Sequence, residues 1–330
     1  MRSRLSAIAS VAVAICFPLV VTTPYIVRVL ILAGIFMVLA LSYDMIVGQV
    51  GSLSLAHPAF FGVGAYTVGL LVTKTSVGFF AAFLAGAALA GLVAILVGIP
   101  SFRLHERSFA IGTLGIALVL QLVANNWMAL TNGPLCVAAI PPLAFTLPGG
   151  ATFTTANLTG AYYSILVLAL GTFIICWVVS RSRVGRAFHA IRENELLAEA
   201  QGINALFYKM FAFSLGAAIA GVAGGFYAMW ARVVCPALMG LPYTITLLII
   251  VFLGGRGSLR GIALAAILFT ILPEVLRIGE FARLVIYGVV LLVFVVNVPQ
   301  GLEGAIAGIG RLTSRHGGHP RQGNGTDASP

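Results

Sequence analysis

Charge is what this 330-residue sequence has least of. Asp, Glu, Lys and Arg together make up 8% of it, against about 25% in a soluble domain. Lysine occurs only as Lys74 and Lys209. Neither completes GxxxxGK[ST], which excludes a phosphate-cradling P-loop, and HExxH and GxSxG are absent as well. The four cysteines show no CxxC spacing and no metal-ligand pattern. The alternating segments of about ten residues that would mark a membrane β-barrel are missing too. An enzyme reading therefore has little to stand on.

Hydrocarbon is what the sequence has most of. Sixty per cent of the residues are hydrophobic and the mean hydropathy is +1.06. Apolar runs near 20 residues match a hydrocarbon core about 30 Å thick. The expected fold is all-α, a polytopic integral membrane protein of about ten transmembrane helices. The spans fall near 5–22, 25–46, 58–73, 78–99, 108–130, 160–179, 207–230, 241–254, 259–276 and 283–298. The first resembles a signal peptide, but Pro18 and the lack of a small-residue cleavage site favour a retained span.

The net charge of +10 follows from membrane topology and calls for no nucleic acid. With a cytoplasmic N-terminus, Arg28, Lys74, Arg232, Arg277 and Arg283 fall outside and the other positive residues inside. That is the asymmetry which insertion favours. Both termini are then cytoplasmic, residues 1–310 form the membrane domain, and the Gly- and Pro-rich stretch 311–330 reads as a disordered tail. Residues 131–159 form the longest outer loop, with prolines and paired glycines that predict irregular or short helical structure. Cys136 and Cys235 share the outer side, where a disulfide is open to them. Glu274, Arg277, Glu280 and Arg283 predict a salt-bridged helix connection.

Residues 181–209, RSRVGRAFHAIRENELLAEAQGINALFYK, are a charge-dense island between two spans. Ser182 predicts an N-cap, a helix should run from Gly185 to Gln201, and Gly202 suits a left-handed end. Asn204 is placed to cap the next helix. Ala187, Ile191 and Ala198 form a narrow apolar stripe, with Arg186, Arg192, Glu193, Glu195 and Glu199 elsewhere around the helix. A positive-inside anchor would not need the three glutamates, so this segment predicts docking to a soluble protein.

The stretch 48–69, GQVGSLSLAHPAFFGVGAYTVG, combines closely spaced glycines with Ser52, Ser54, His57 and Pro58. It predicts a chain break whose freed backbone groups are satisfied by protein or a water-filled cavity. As a gate or pathway lining it would involve Gly48, Gln49, Gly51, Ser52, Ser54 and His57; the other reading is tight packing with hydroxyls bonded to carbonyls. Gly48-x-x-Gly51-Ser52-Leu53 is echoed by Gly254-x-x-Gly257-Ser258-Leu259. Interrupted segments at matching positions of two halves point to a transport pathway, which adds Gly254, Gly257 and Ser258. Asp44, near the inner end of its span, is expected to pair locally or cap a helix end.

These motifs, with AGVAGGFYA at 220–228, VFLGGRGSL at 251–259, LPEVLR at 272–277 and Pro299-Gln300-Gly301, stand in an order that resembles the LivM-type permeases of branched-chain amino acid ABC importers. The resemblance covers about residues 30–303. It implies an ABC-importer permease fold in a bacterial cytoplasmic membrane. It also implies a translocation role by alternating access, and a coupling segment at Arg186, Arg192, Glu193, Glu195, Glu199, Ala200 and Gly202. Implied partners are a second homologous permease, two ATP-binding subunits, an external substrate-binding protein and membrane lipid. ATP and magnesium would then sit on the partner subunits, and this chain would bind no cofactor and no metal. Thr131-Asn132-Gly133-Pro134-Leu135-Cys136 and the 101–109 loop depart from the family pattern, and urea and short-amide importers share the central motifs. Two readings of other classes are an ATPase-independent secondary transporter relaying protons through Asp44 and His57, and a hydrolase pairing Ser52 or Ser54 with His57.

Overall fold

The computed structural model describes residues 23–276 other than 76, 105 and 147–151. The expected spans 5–22 and 283–298, the tail 311–330 and, of the Glu274–Arg283 charge pattern, Arg277, Glu280 and Arg283 lie outside what it describes. The helices are α1 (Pro24–Asp44), continued as a π-helical stretch Met45–Val50, then α2 (His57–Lys74), α3 (Phe79–Ser101), α4 (Glu106–Asn126) and α5 (Leu158–Arg181). The charged island follows as α6 (Arg183–Glu193) and α7 (Glu195–Ala200), before α8 (Ala205–Ala231), α9 (Leu241–Gly254) and α10 (Leu259–Leu276). Among the described residues, five helices are long and apolar enough to cross a bilayer: Pro24–Val50, Phe79–Ser101, Ser108–Asn126, Leu158–Arg181 and Ala205–Ala231. Phe80, Leu84, Ile111 and Val167 stand more than two-thirds exposed. Such side chains suit lipid, where the hydrophobic effect gives no reason to bury them.

With no hydrophobic force between helices in lipid, close packing has to hold them together. Helices α2, α3 and α8 supply it through glycine. A Cβ on Gly64 would overlap the backbone of Gly221, and one on Gly221 would lie 2.7 Å from the Ala90 Cβ and 2.8 Å from the Gly86 carbonyl oxygen. Gly224 lies against the Phe61 carbonyl in the same way. The AGVAGGFYA run is thus the face on which three backbones meet. Phe60, Phe102 and Phe109 close around Phe213 of α8, with ring centroids 5.2–6.2 Å apart.

The 27 residues of α8 span about 40 Å and separate two ends of the molecule. One end gathers the π-helical stretch, α6, α7 and the turn between α9 and α10. At the other, Cys136 and Cys235 form a disulfide. They flank a two-residue antiparallel ladder of β1 (Val137–Ala138) with β4 (Val233–Val234). A second pair, β2 (Ala144–Thr146) with β3 (Thr152–Thr154), lies in the loop expected to be irregular or helical. Its Phe and Thr residues favour extended backbone. Among the described residues of that loop, helical structure is found at Gly133–Leu135 and in the single turn Met128–Thr131 that leads into it.

Introducing a side chain at the three-helix contact should destabilise the protein, whereas the same change on a lipid face should not. Gly224→Leu is expected to cost about 1–3 kcal/mol by overpacking. Gly171→Leu, whose Cβ would meet nothing within 4 Å, should be neutral. Thermal unfolding of the two variants in one detergent compares them directly.

Candidate functional site

The charged island folds as two helices where one was expected. Ser182 caps α6, its hydroxyl accepting from Val184 N at 3.1 Å and Gly185 N at 3.4 Å. The helix stops at Asn194, which takes an extended conformation and accepts from Leu197 N at 3.1 Å. An asparagine competes with the helix for its own backbone, and here it ends one helix and caps the next. Gly202 adopts φ +85°, and Asn204 caps α8 by accepting from Phe207 N at 3.0 Å.

Ala187, Phe188, Ile191 and Ala198 are buried and seat this pair of helices against the bundle. Arg186, Glu193, Glu195, Glu199, Ala200 and Gly202 are exposed. Lys209 donates to Glu195 at 2.5 Å, holding α7 against the start of α8. Sequence reasoning missed Leu196 and Leu197, which are 79% and 62% exposed on α7. Two adjacent leucines within an otherwise charged segment were the available signal.

The predicted chain break is present. After the π-helical stretch, Gly51 turns at φ +90°, a left-handed conformation that favours glycine, and residues 51–56 run without helical structure to His57. Their backbone groups are met by side chains from four directions. Leu55 N donates to Thr113 Oγ1 at 3.0 Å and Thr244 Oγ1 donates to the Leu55 carbonyl at 3.4 Å. Tyr43 donates to the Ser54 carbonyl at 2.5 Å, and Ser54 Oγ accepts from Ala56 N at 3.3 Å. Non-helical backbone at membrane depth is tolerated only where protein or water supplies such partners.

His57 is buried, with Nε2 2.8 Å from Ser42 Oγ. Ser42 Oγ also lies 2.9 Å from the Leu39 carbonyl, to which it can donate. Its Nδ1 has no hydrogen-bond partner. The serine beside the ring is Ser42, not Ser52 or Ser54, because the break lifts α2 back to the level of Ser42.

The two echoed motifs meet. Asp44 has the Gln49 side chain as a local neighbour, as expected, but its well-formed bond is long-range: it accepts from Gly257 N at 2.8 Å across 213 residues. A Cβ on Gly48 would collide with the Asp44 carboxylate and lie 2.5 Å from Gly257 N. Arg192 Nη1 donates to the Gly48 carbonyl at 2.5 Å. Gly48, Gly51, Gly257 and Arg192 are therefore brought together. Gly254 instead packs on Gly261 and Ile262, and Ser258 accepts from Gly261 N at 3.1 Å, shaping the α9–α10 turn. Gln49 is fully buried at this corner, its amide facing the Asp44 carboxylate without a hydrogen bond of good geometry to either of its polar atoms.

A family described as "Branched-chain amino acid transport system / permease component" matches residues 25–295. The chain belongs to this permease family. It is 30% identical to the Escherichia coli K12 protein named high-affinity branched-chain amino acid transport system permease protein LivM, over 91% of this chain and 75% of the relative. It is 27% identical to the BraD permease of Pseudomonas aeruginosa, over 82% and 91%. With the E. coli K12 permease LivH it shares 24% identity over 83% and 92%. No solved structure matches.

In this permease the Asp44 carboxylate holds the two motifs together, and its loss should be measurable. Asp44→Ala leaves Gly257 N without an acceptor and is expected to cost about 1–3 kcal/mol. Asp44→Asn keeps an acceptor oxygen and should cost less. Thermal unfolding in detergent ranks the two; equal losses would show that the bond contributes nothing.

Proposed function

We propose that this chain is the membrane-spanning permease subunit of an ATP-driven importer that carries branched-chain amino acids inward by alternating access. The observation that carries the reading is the α6–α7 pair. Its apolar side is seated on the bundle by Phe188 and Ile191, while Leu196 and Leu197 stand clear beside exposed Arg186, Glu193 and Glu199. Exposed leucines ringed by charge suit a protein groove.

The partners in this reading are a second, homologous permease, two ATP-binding subunits that hold ATP and magnesium, and an external substrate-binding protein. The similarity to both LivM and LivH supports a pair of permeases. The chain lies in a bacterial inner membrane with about ten spans and both termini cytoplasmic. The Cys136–Cys235 disulfide supports that orientation, because disulfides persist outside the reducing cytosol, and α6 and α7 lie at the other end of α8. Asp44 and His57 bond different neighbours, Gly257 and Ser42, which favours the ATP-driven reading over a proton relay joining them.

Two experiments test this assignment. Leu196→Asp with Leu197→Asp should lower recovery of the ATPase subunits with the tagged permease by at least about tenfold, as for a burial hot spot, while leaving membrane insertion intact. Unchanged recovery would remove the docking role. Separately, Cys136→Ser should free the Cys235 thiol for a membrane-impermeant maleimide added from outside, with no labelling at either position in the unaltered chain. Labelling from the cytoplasmic side alone would reverse the orientation.

A further inference from the structure

Arg192 differs from its charged neighbours in where its guanidinium goes. It reaches out of α6 to the Gly48 carbonyl, 144 residues away, while the same glycine's neighbour in space, Gly257, is bonded to Asp44. The fit around the arginine depends on missing side chains. A Cβ on Gly51 would lie 3.1 Å from Arg192 Cγ, and one on Gly257 would lie 3.2 Å from Arg192 Nη1. Gly51 and Gly257 both have positive φ, +90° and +83°, so each is glycine for conformational as well as steric reasons. The arginine stem therefore lies along one Gly-x-x-Gly-Ser-Leu motif while its head reaches the other.

The corner it enters is short of hydrogen bonds. The Gln49 amide and Arg192 face the Asp44 carboxylate, yet Asp44 Oδ2 and both polar atoms of that amide are buried without a hydrogen bond of good geometry, in a protein whose irregular segment 51–56 is otherwise well supplied. Buried polar groups are normally paired, and exceptions call for a reason. A π-helical stretch, itself frequent at functional sites, carries Gln49 and Gly48 directly into the break. An element with unmet bonds in one arrangement has bonds to gain in another, which is what a two-state gate requires.

We propose that Arg192 is the positioning residue that ties the coupling helix α6 to the paired glycine corners. Movement of α6 is delivered through the Gly48 carbonyl to the 51–56 segment, and it repacks Asp44 and Gln49 as the permease changes its open side. This rests on the importer reading above and names the link between its docking surface and its pathway.

The test uses the complete importer, permeases and ATPase subunits with the binding protein, in proteoliposomes. Leucine uptake and ATP hydrolysis are measured in the same vesicles. Arg192→Ala should lower uptake per ATP hydrolysed by at least about tenfold, within the usual range of coupling between sites, and Arg192→Lys, which keeps a donor on a long stem, should recover part of it. Gly51→Ala, which pushes against the arginine stem, should lower the same ratio. The Arg192→Ala, Gly51→Ala double variant should be no worse than the poorer single one. A ratio unchanged in Arg192→Ala overturns the proposal, as do multiplicative losses in the double variant. If Arg192→Ala yields no assembled complex, Arg192→Lys and Gly51→Ala decide: unchanged ratios in both overturn it. Failure of the unaltered chain to recover ATPase subunits would instead sink the importer reading.

Discussion

Backbone hydrogen bonding in hydrocarbon is the constraint from which the rest of this structure follows. Water cannot satisfy an amide at membrane depth, so a chain that leaves the helix there needs side-chain partners. The permease meets that demand at residues 51–56 with Thr113, Thr244, Tyr43 and Ser54, contributed by α4, α9, α1 and the segment itself. Meeting it from separate helices draws them together at one point. The break is consequently braced by much of the bundle and is a place where relative helix movement is felt.

The same logic explains the glycines. Helices in lipid gain from close backbone contact, and α2, α3 and α8 reach it through Gly64, Gly86, Gly221 and Gly224. Glycine has a second use at the corner of Gly48, Gly51 and Gly257, where it admits the Asp44 carboxylate and the Arg192 stem. One residue type thus builds a close three-helix contact in one place and a narrow polar joint in another, and the joint lies next to the charged, exposed face of α6 and α7.

Much of this was legible in the sequence wherever one stretch of chain decides the outcome. Hydropathy located α9 at 241–254 and α8 to within two residues, and cap chemistry located Ser182, Gly202 and Asn204. Asn194 escaped notice because a single asparagine among good helix formers does not announce a break. What the sequence could not show is long-range. Asp44 and Gly257 are 213 residues apart, so their pairing is not visible until the helices between them are packed; for Cys136 and Cys235, 99 apart, topology left a disulfide open and only packing decides it. The repeated Gly-x-x-Gly-Ser-Leu motif pointed to two related corners, but not to their contact or to the arginine between them.

Whether transport depends on ATP is the question that bears most directly on this account. The complete importer should be reconstituted into vesicles with the binding protein and radiolabelled leucine on its external side and ATP supplied to the ATPase side. Leucine should accumulate above its external concentration only while ATP is hydrolysed, and should stay outside when ATP is withheld. Equilibration of leucine without ATP would contradict the account and make this chain a passive or ion-coupled carrier.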